Sequence, residues 1–320
     1  MLIFSPILLR FVWGTSVLRP GTLRTELETI AKRIGFRYSN ILVWNTGGVV
    51  VNAAVTGIVP QVRYVLLSDA LIQQLSPKET AAVFGHEVGH VKHHHLSYYL
   101  LFILLSILFA GLLGQWIQIQ TQPWFQSFDH PWMEWFAKYT PYDAILLVPY
   151  VFFVFGMLSR RCERQADVYG SRAVSMIEPD LPPLEQILAD QGFRVNEDPS
   201  SAGVLLASEN VALSHERKSP RVTANGAKIF VQSLEKVAEL NGMSRSAPNW
   251  RHGSIEQRIE FLERVAQDPE LADRYDRAVR RFRYTLALTL MAGIVSLAWA
   301  TNESFFQGET APVKTADNVK

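Results

Sequence analysis

The 320-residue chain reads as a mainly α integral membrane protein that carries a small α+β unit with a short sheet and about three transmembrane helices. Three observations predict this class. Charged residues make up only 19% of the chain and hydrophobic ones 48%, against about 25% charged in an ordinary globular domain. Long apolar runs begin near residues 96, 144 and 284. Between residues 14 and 95, helical and strand patterns alternate over a stretch long enough for a compact unit. The formal net charge of +1 lacks the basic excess that phosphate neutralisation demands, which excludes nucleic acid as a partner. A single cysteine, Cys162, excludes an internal disulfide and a Cys-rich zinc finger, so any metal must be held by His and carboxylates.

Segment 1–13, MLIFSPILLRFVW, is apolar but broken by Pro6 and Arg10. It has no basic region ahead of it and no small-residue cleavage site after it, so it reads as a partial span or an interfacial anchor rather than a signal peptide. In the α+β unit, Leu23–Phe36 has apolar residues at helical spacing with Gly35 as its stop. The runs ILVWNTGGVVVNAAV and VRYVLLSD are rich in β-branched and aromatic residues, giving two or three strands. The order Ser76-Pro77-Lys78-Glu79 is an N-cap, a first-turn proline and a capping-box acid, so a helix starts at Pro77.

No charged residue appears from Leu96 to Phe128, and 96–116 reads as the first transmembrane helix at the roughly 20 residues a bilayer requires. Segment 117–143 forms an outer loop that, with its edge, carries Trp116, Trp124, Phe125, Trp132, Trp135 and Phe136, which suit an interfacial aromatic belt. Segments 144–159 and 284–300 supply two further spans, and 301–320 a polar tail. Lys138 is the only basic residue of the outer loop, whereas Arg160, Arg161, Arg164 and Arg172 follow the second span and Arg274, Arg277, Arg280, Arg281 and Arg283 precede the third. Cytoplasmic flanks collect Lys and Arg, so 14–95 and 160–283 are expected in the cytoplasm of a multi-pass protein of the inner or plasma membrane. Within 176–250, a short helix over 181–193, a polar loop containing a solvated His215, and an amphipathic helix from Ala227 to Met243 are expected.

The chemistry begins on the helix from Pro77, where His86, Glu87, Val88, Gly89 and His90 form an H-E-x-x-H pattern. Residues four apart stack on one helix face, so both imidazoles reach one tetrahedral zinc while Glu87 sits about 100° around. A catalytic zinc needs a third protein ligand and one open position. His93, His94 and His95 follow at once, but ligands drawn from one straight helix line up along its axis and cannot surround a tetrahedral ion; a polar helix exit accounts for them better. Beyond the second span, SRRCERQADVYG puts Glu163 and Asp167 on one face at i, i+4. Glu163 can close the site, and Asp167 can accept the outward N–H of a ligating His. Cys162 reads as a small buried side chain.

At this point the residues resemble the zinc metallopeptidases of the CAAX prenyl protease 1 and HtpX type, family 48 of the metallopeptidases. That family pairs H-E-x-x-H with a downstream S-R-x-x-E-x-x-A-D, standing here as Ser159, Arg160, Glu163, Ala166 and Asp167. Its N-A-x-x-x-G appears as Asn52, Ala53 and Gly57, and its late H-P-x-x-x-x-R-I/L-x-x-L as His252, Arg258 and Leu262. Two departures concern the substrate pocket: Gly253 replaces the late proline, and Ala54 replaces the aromatic after Asn-Ala.

The resemblance implies a gluzincin-like α+β catalytic core holding one Zn2+ per chain on His86, His90 and Glu163, with Asp167 behind them. It implies metal-assisted peptide-bond hydrolysis with Glu87 as general base, and nominates His252 and Asn52 as oxyanion donors. A helix-start histidine packed beside Trp250, and a turn-forming Asn52, are the plainer alternatives. If the helix from Pro77 runs on into the first span, His90 lies some 9 Å from Leu96 at about 1.5 Å per residue. Substrates would then be membrane proteins or membrane-attached polypeptides at the bilayer, presented as extended strands along 47–68. Two other classes remain: a catalytically silent membrane scaffold, and a metal-binding transporter or sensor using His93–His95.

Overall fold

The computed structural model describes residues 12–127, 130–133, 135, 140–177 and 221–309. The expected anchor over 1–13 except its last two residues, the helix over 181–193, His215 and the end of the tail lie outside the described residues. Described residues within 1–93, 164–248 and 254–275 form one compact unit, and those within 94–163, 249–253 and 276–320 form a second.

The first unit is built on a four-stranded sheet. Strands β1 (Thr15–Val17), β2 (Asn40–Trp44), β3 (Ala53–Thr56) and β4 (Tyr64–Ser68) lie in the order β1-β2-β4-β3. β2 and β4 run parallel with Leu42 opposite Leu66, while β1 and β3 pair antiparallel to β2 and β4 respectively. β1 was not foreseen, because TSV is too short to show a period. Helix α1 (Thr22–Arg33) ends where Gly35 turns left-handed at φ +60°. There the N–H of Phe36 bonds the carbonyl of Ala31 at 2.8 Å and that of Gly35 the carbonyl of Lys32 at 3.2 Å, the paired bonds of a Schellman stop.

β4 is buried along its whole length, as the continuous apolar run YVLLS demands. Its alternate residues serve two cores. Val65 and Leu67, with Ile41, pack against Leu27 and Ile30 of α1 and against Phe84 and Val88, whereas Tyr64 and Leu66 join Leu42 and Trp13. Asp69 opens helix α2 (Asp69–Gln74) and ties down the glycine turn after β2. Its carboxylate accepts the hydroxyl of Thr46 at 2.5 Å and the N–H groups of Thr46 and Gly48 at 3.0 Å.

These bonds, the Thr46 hydroxyl first, pull the Asp69 carboxyl down to about 2. A depressed carboxylate adds stability above the ordinary carboxylate range and gives it up as pH falls through its folded value. Protection of the Thr46 and Gly48 amides, measured relative to their intrinsic exchange, is therefore expected to hold down to about pH 4 and to fall toward pH 2. In Asp69→Asn this protection should lose its pH dependence; parent protection that does not fall between about pH 4 and pH 2 would contradict this role.

Helix α3 (Pro77–Lys92) starts where the sequence predicts, through both halves of the capping box. Ser76 Oγ accepts the N–H of Glu79 at 3.3 Å and Glu79 Oε2 accepts that of Ser76 at 2.7 Å. It does not run on into the first span. His94 adopts φ +55°, a left-handed conformation that breaks the i→i−4 ladder, and helix α4 (His95–Gln126) begins after it. His90 and Leu96 therefore do not lie along one continuous helix axis.

α4 outlasts its apolar run, because nothing between Trp116 and Pro123 disfavours helix. Trp124 and Phe125 are therefore helical rather than part of a connecting loop. Helix α5 (Tyr142–Tyr150), a π segment over Val151–Phe155 and helix α6 (Gly156–Ser175) follow in one unbroken run. Pro149 lacks the N–H its turn needs, and a widened turn follows it. Helices α7 (Ala224–Leu240), α8 (Ile255–Gln267) and α9 (Pro269–Glu309) complete the described residues.

The stretches His95–Gln126, Tyr142–Ser175 and Glu270–Asn302 are long and apolar enough to cross a membrane, and protein buries only 17%, 22% and 11% of their apolar windows. Large side chains such as Leu100, Leu104, Ile107, Phe153 and Leu288 stand exposed, which in water would be an uncovered apolar surface. Inside the second unit Phe102, Phe155, Leu158, Cys162 and Leu290 form the core. Cys162 is the small buried side chain expected of it.

Candidate metal centre

His86 and His90 lie one turn apart on α3, and their Nε2 atoms face each other at 3.1 Å. Two nitrogens each about 2.0–2.1 Å from one tetrahedral zinc stand about 3.3 Å apart, so the pair is set for a shared ion. Its backbone placement depends on the glycine that precedes each histidine. A Cβ on Gly85 would lie 2.8 Å from the Cβ of Ala173 and 3.0 Å from the Cα of Gly170; one on Gly89 would lie 3.1 Å from the Cα of Ala166. Glycine at i and i+4 on α3 thus meets Ala166, Gly170 and Ala173 on α6 almost backbone to backbone, which lets short side chains span the gap. Gly85→Val is expected to wedge the helices apart, costing about 1–3 kcal/mol and leaving zinc more easily removed by dialysis. Unchanged zinc retention would show that the close approach is not needed.

Asp167 of α6 stands at the centre of this contact with no solvent exposure, its Oδ1 2.9 Å from His86 Nδ1. A carboxylate there holds the proton on Nδ1 and leaves the Nε2 lone pair facing His90. Its charge is balanced from the other side. Arg258, on the first turn of α8, donates Nε to Oδ2 at 2.8 Å and Nη2 to Oδ1 at 2.6 Å, a planar two-bond fork that is itself buried. Ser254 caps α8 by accepting the N–H of Gln257 at 3.2 Å, which sets where Arg258 emerges.

Glu163 lies one turn before Asp167 on α6. It offers a carboxylate oxygen that, with one nitrogen each of His86 and His90, forms a set of donors all within 4.8 Å of one another. Two imidazoles and a carboxylate are the donor types a divalent zinc accepts with one position left open, so the residues present fit the ion. The other Glu163 contact is with His252, whose Nδ1 is 3.0 Å from Oε2. Glu87 follows His86 on α3 and is half-buried.

The other candidates have the following contacts. Asn52 Oδ1 accepts the N–H of Ala53 at 2.9 Å, while its backbone pairs with Ser68. His93, His94 and His95 diverge. His93 packs edge-on to Tyr169, His94 is exposed, and His95 is buried beside Tyr99. Among the described residues the potential metal group is His86, His90 and Glu163. Three features escaped the sequence reading. The Gly85/Gly89 pair was legible as two small residues at helical spacing. The partner of Arg258 was not legible, because it lies 91 positions away. Arg160, one of the basic residues that follow the second span, donates to the carbonyl of Trp250 at 2.6 Å.

Comparison with known proteins places the chain in a family. Residues 18–265 match Peptidase family M48, a stretch holding every residue of the group. The chain belongs to peptidase family M48. Among relatives of this M48 chain, a protein named Protease HtpX homolog from Aeropyrum pernix is 30% identical over 123 residues, 35% of this chain and 38% of the relative. CAAX prenyl protease 1 from Saccharomyces cerevisiae is 27% identical over 178 residues, 48% of this chain and 38% of that one. The matched region thus spans little more than a third of these relatives' length. A crystal structure of S. mikatae Ste24p aligns with a TM-score of 0.47 and 16% identity, covering 81% of this chain and 53% of that one. Where the M48 pattern has a proline after its late histidine, this chain has Gly253 at φ +75°, which a proline ring held near −65° cannot adopt.

Proposed function

We propose that this M48 chain is a membrane-embedded zinc metalloendopeptidase with a gluzincin-like core, hydrolysing peptide bonds of membrane-associated polypeptides. One observation carries the reading: donors of His86, His90 and Glu163 within 4.8 Å of one another, with the buried Asp167 carboxylate on His86 Nδ1. One zinc per chain would be held by those three residues, and when bound it supplies Lewis acidity toward a water and the scissile carbonyl.

The chain's own side chains do the rest. Glu87 takes the proton of the attacking water and returns it to the leaving amine. The ring of His252, held against Glu163, donates to the oxyanion that develops on the carbonyl. Asn52 shapes the entry to β3, the end strand of the sheet order, along which an extended substrate adds by backbone hydrogen bonds. Three apolar helices support a multi-pass protein in a lipid bilayer, and the Arg-rich flanks of the second and third spans support a site facing the cytoplasm. Neither the silent scaffold nor the His93–His95 sensor has a structural observation in its favour.

The experiment is zinc content and proteolysis on the purified full chain. The parent is expected to hold one zinc, to lose activity to a chelator and to regain it with zinc. Glu163→Ala is expected to bind zinc more than about 100-fold more weakly, since loss of a supporting partner alone costs 10–100-fold. Cleavage that persists after complete zinc removal would overturn the reading.

A further inference from the structure

His252 sits in a loop with no regular structure, yet a catalytic donor must be held to within a fraction of an ångström. Residues 249–253 group with the helical unit, although their neighbours on both sides belong to the other one. The anchor is Trp250. Its ring stacks on Phe152 with centroids 5.3 Å apart and planes at 16°, and its second neighbour is Phe155 at 6.1 Å. Its carbonyl accepts Arg160 Nη1 at 2.6 Å. Gly156 provides the room: a Cβ there would lie 2.9 Å from the Trp250 carbonyl oxygen and 3.3 Å from the ring.

Residues 152, 156, 160 and 163 follow one another at the three- and four-residue steps that share a helix face. The same face that grips Trp250 therefore carries Glu163, and Glu163 grips His252 two residues further along the loop. Inside the loop, Asn249 Oδ1 accepts the N–H groups of Arg251 and His252, both at 3.0 Å, and Gly253 bonds back to the Asn249 carbonyl at 2.8 Å. Trp250 and His252 are thus joined by a short, internally bonded turn.

We propose that Trp250 is a positioning residue that fixes His252 against Glu163 by docking the loop on the apolar run of the second span, with Gly156 and Arg160 as its seat. The inference rests on the hydrolase reading, in which His252 acts on the substrate carbonyl. It makes an apolar membrane helix, rather than the loop itself, the element that sets the histidine. A positioning residue acts through its client, so its removal lowers turnover without changing what binds substrate or metal.

The test is a double-mutant cycle on the full chain in detergent, reading kcat, KM and bound zinc. Trp250→Ala is expected to lower kcat by about 10- to 100-fold, the cost of a displaced catalytic group, with KM within about twofold and zinc content unchanged. Trp250→Phe, which keeps the stack, is expected to stay within about threefold of the parent. Gly156→Ala, whose methyl would crowd both the Trp250 carbonyl oxygen and the edge of its ring, should shift kcat in the same direction. In a His252→Ala background, Trp250→Ala should have no further effect, because the group it positions is gone.

Equal losses from Trp250→Ala with and without His252 would overturn the positioning role while leaving the hydrolase reading intact. Parent-like kcat in Trp250→Ala would overturn it as well. His252→Ala with parent activity would instead sink the catalytic role of His252 itself.

Discussion

Glu87→Gln is expected to lower kcat by about 10²–10⁴-fold, the usual contribution of a positioned general base, while the purified protein keeps its zinc. That loss corresponds to about 3–5 kcal/mol in the barrier. Glutamine matches glutamate in size and bonds, so the helix and its packing are undisturbed, but a carboxamide cannot hold the proton of an attacking water. The separation from the ligands follows from helix geometry. His86 and His90 share one face of α3, and Glu87 is rotated about 100° from His86. The potential donor set among the described residues is His86, His90 and Glu163, so metal binding there would not call on Glu87. Side-by-side zinc analysis and single-turnover proteolysis decide the matter. Zinc retained with turnover lost is the expected pattern; parent-like turnover would remove Glu87 from the mechanism, and zinc lost with it would make Glu87 a ligand.

Arg258→Met is expected to destabilise the first unit by about 3–5 kcal/mol, the cost of leaving one member of a buried ion pair alone. Asp167 has no exposure and Arg258 only 9% of its side chain exposed, so water cannot replace the guanidinium. Methionine keeps much of the volume, and the loss is one of charge and two hydrogen bonds rather than of packing. The proposed zinc site should feel it too. Asp167 orients His86 through Nδ1, and a carboxylate that has lost its fork is free to turn away, for which a 10- to 100-fold weaker zinc affinity is the expected scale. Thermal unfolding and zinc competition on the same preparations check both effects. Adding Asp167→Asn to Arg258→Met should recover part of the stability but not the zinc affinity, because the uncompensated charge is gone while the acceptor on His86 stays weak. If Arg258→Met unfolds at the parent temperature, Asp167 does not depend on that arginine.

Much of the fold was readable because its signals are local. The capping box at Ser76 and Glu79 needs four residues, the glycine stop after α1 needs two carbonyls of the preceding turn, and a span needs only a long apolar run. The misreadings were also local in origin. A left-handed His94 carries no signal, since histidine sits as readily in a continuous helix, and the polar residues after Trp116 end an apolar run without ending a helix. β1 is three residues long and is defined by its partner β2 rather than by its own pattern.

By itself, the sequence determined the chemistry of the site: two imidazoles one turn apart, a carboxylate and a second acid one turn apart on a later helix, and the apolar segments that flank them. Helical spacing dictates which side chains share a face. It says nothing about which faces meet. The tertiary structure alone decided that Gly85 and Gly89 let α3 approach α6, that Arg258 balances Asp167, and that Trp250 ties His252 to the second span. Each of these joins residues tens of positions apart, through close packing and buried charge pairing that no local pattern encodes.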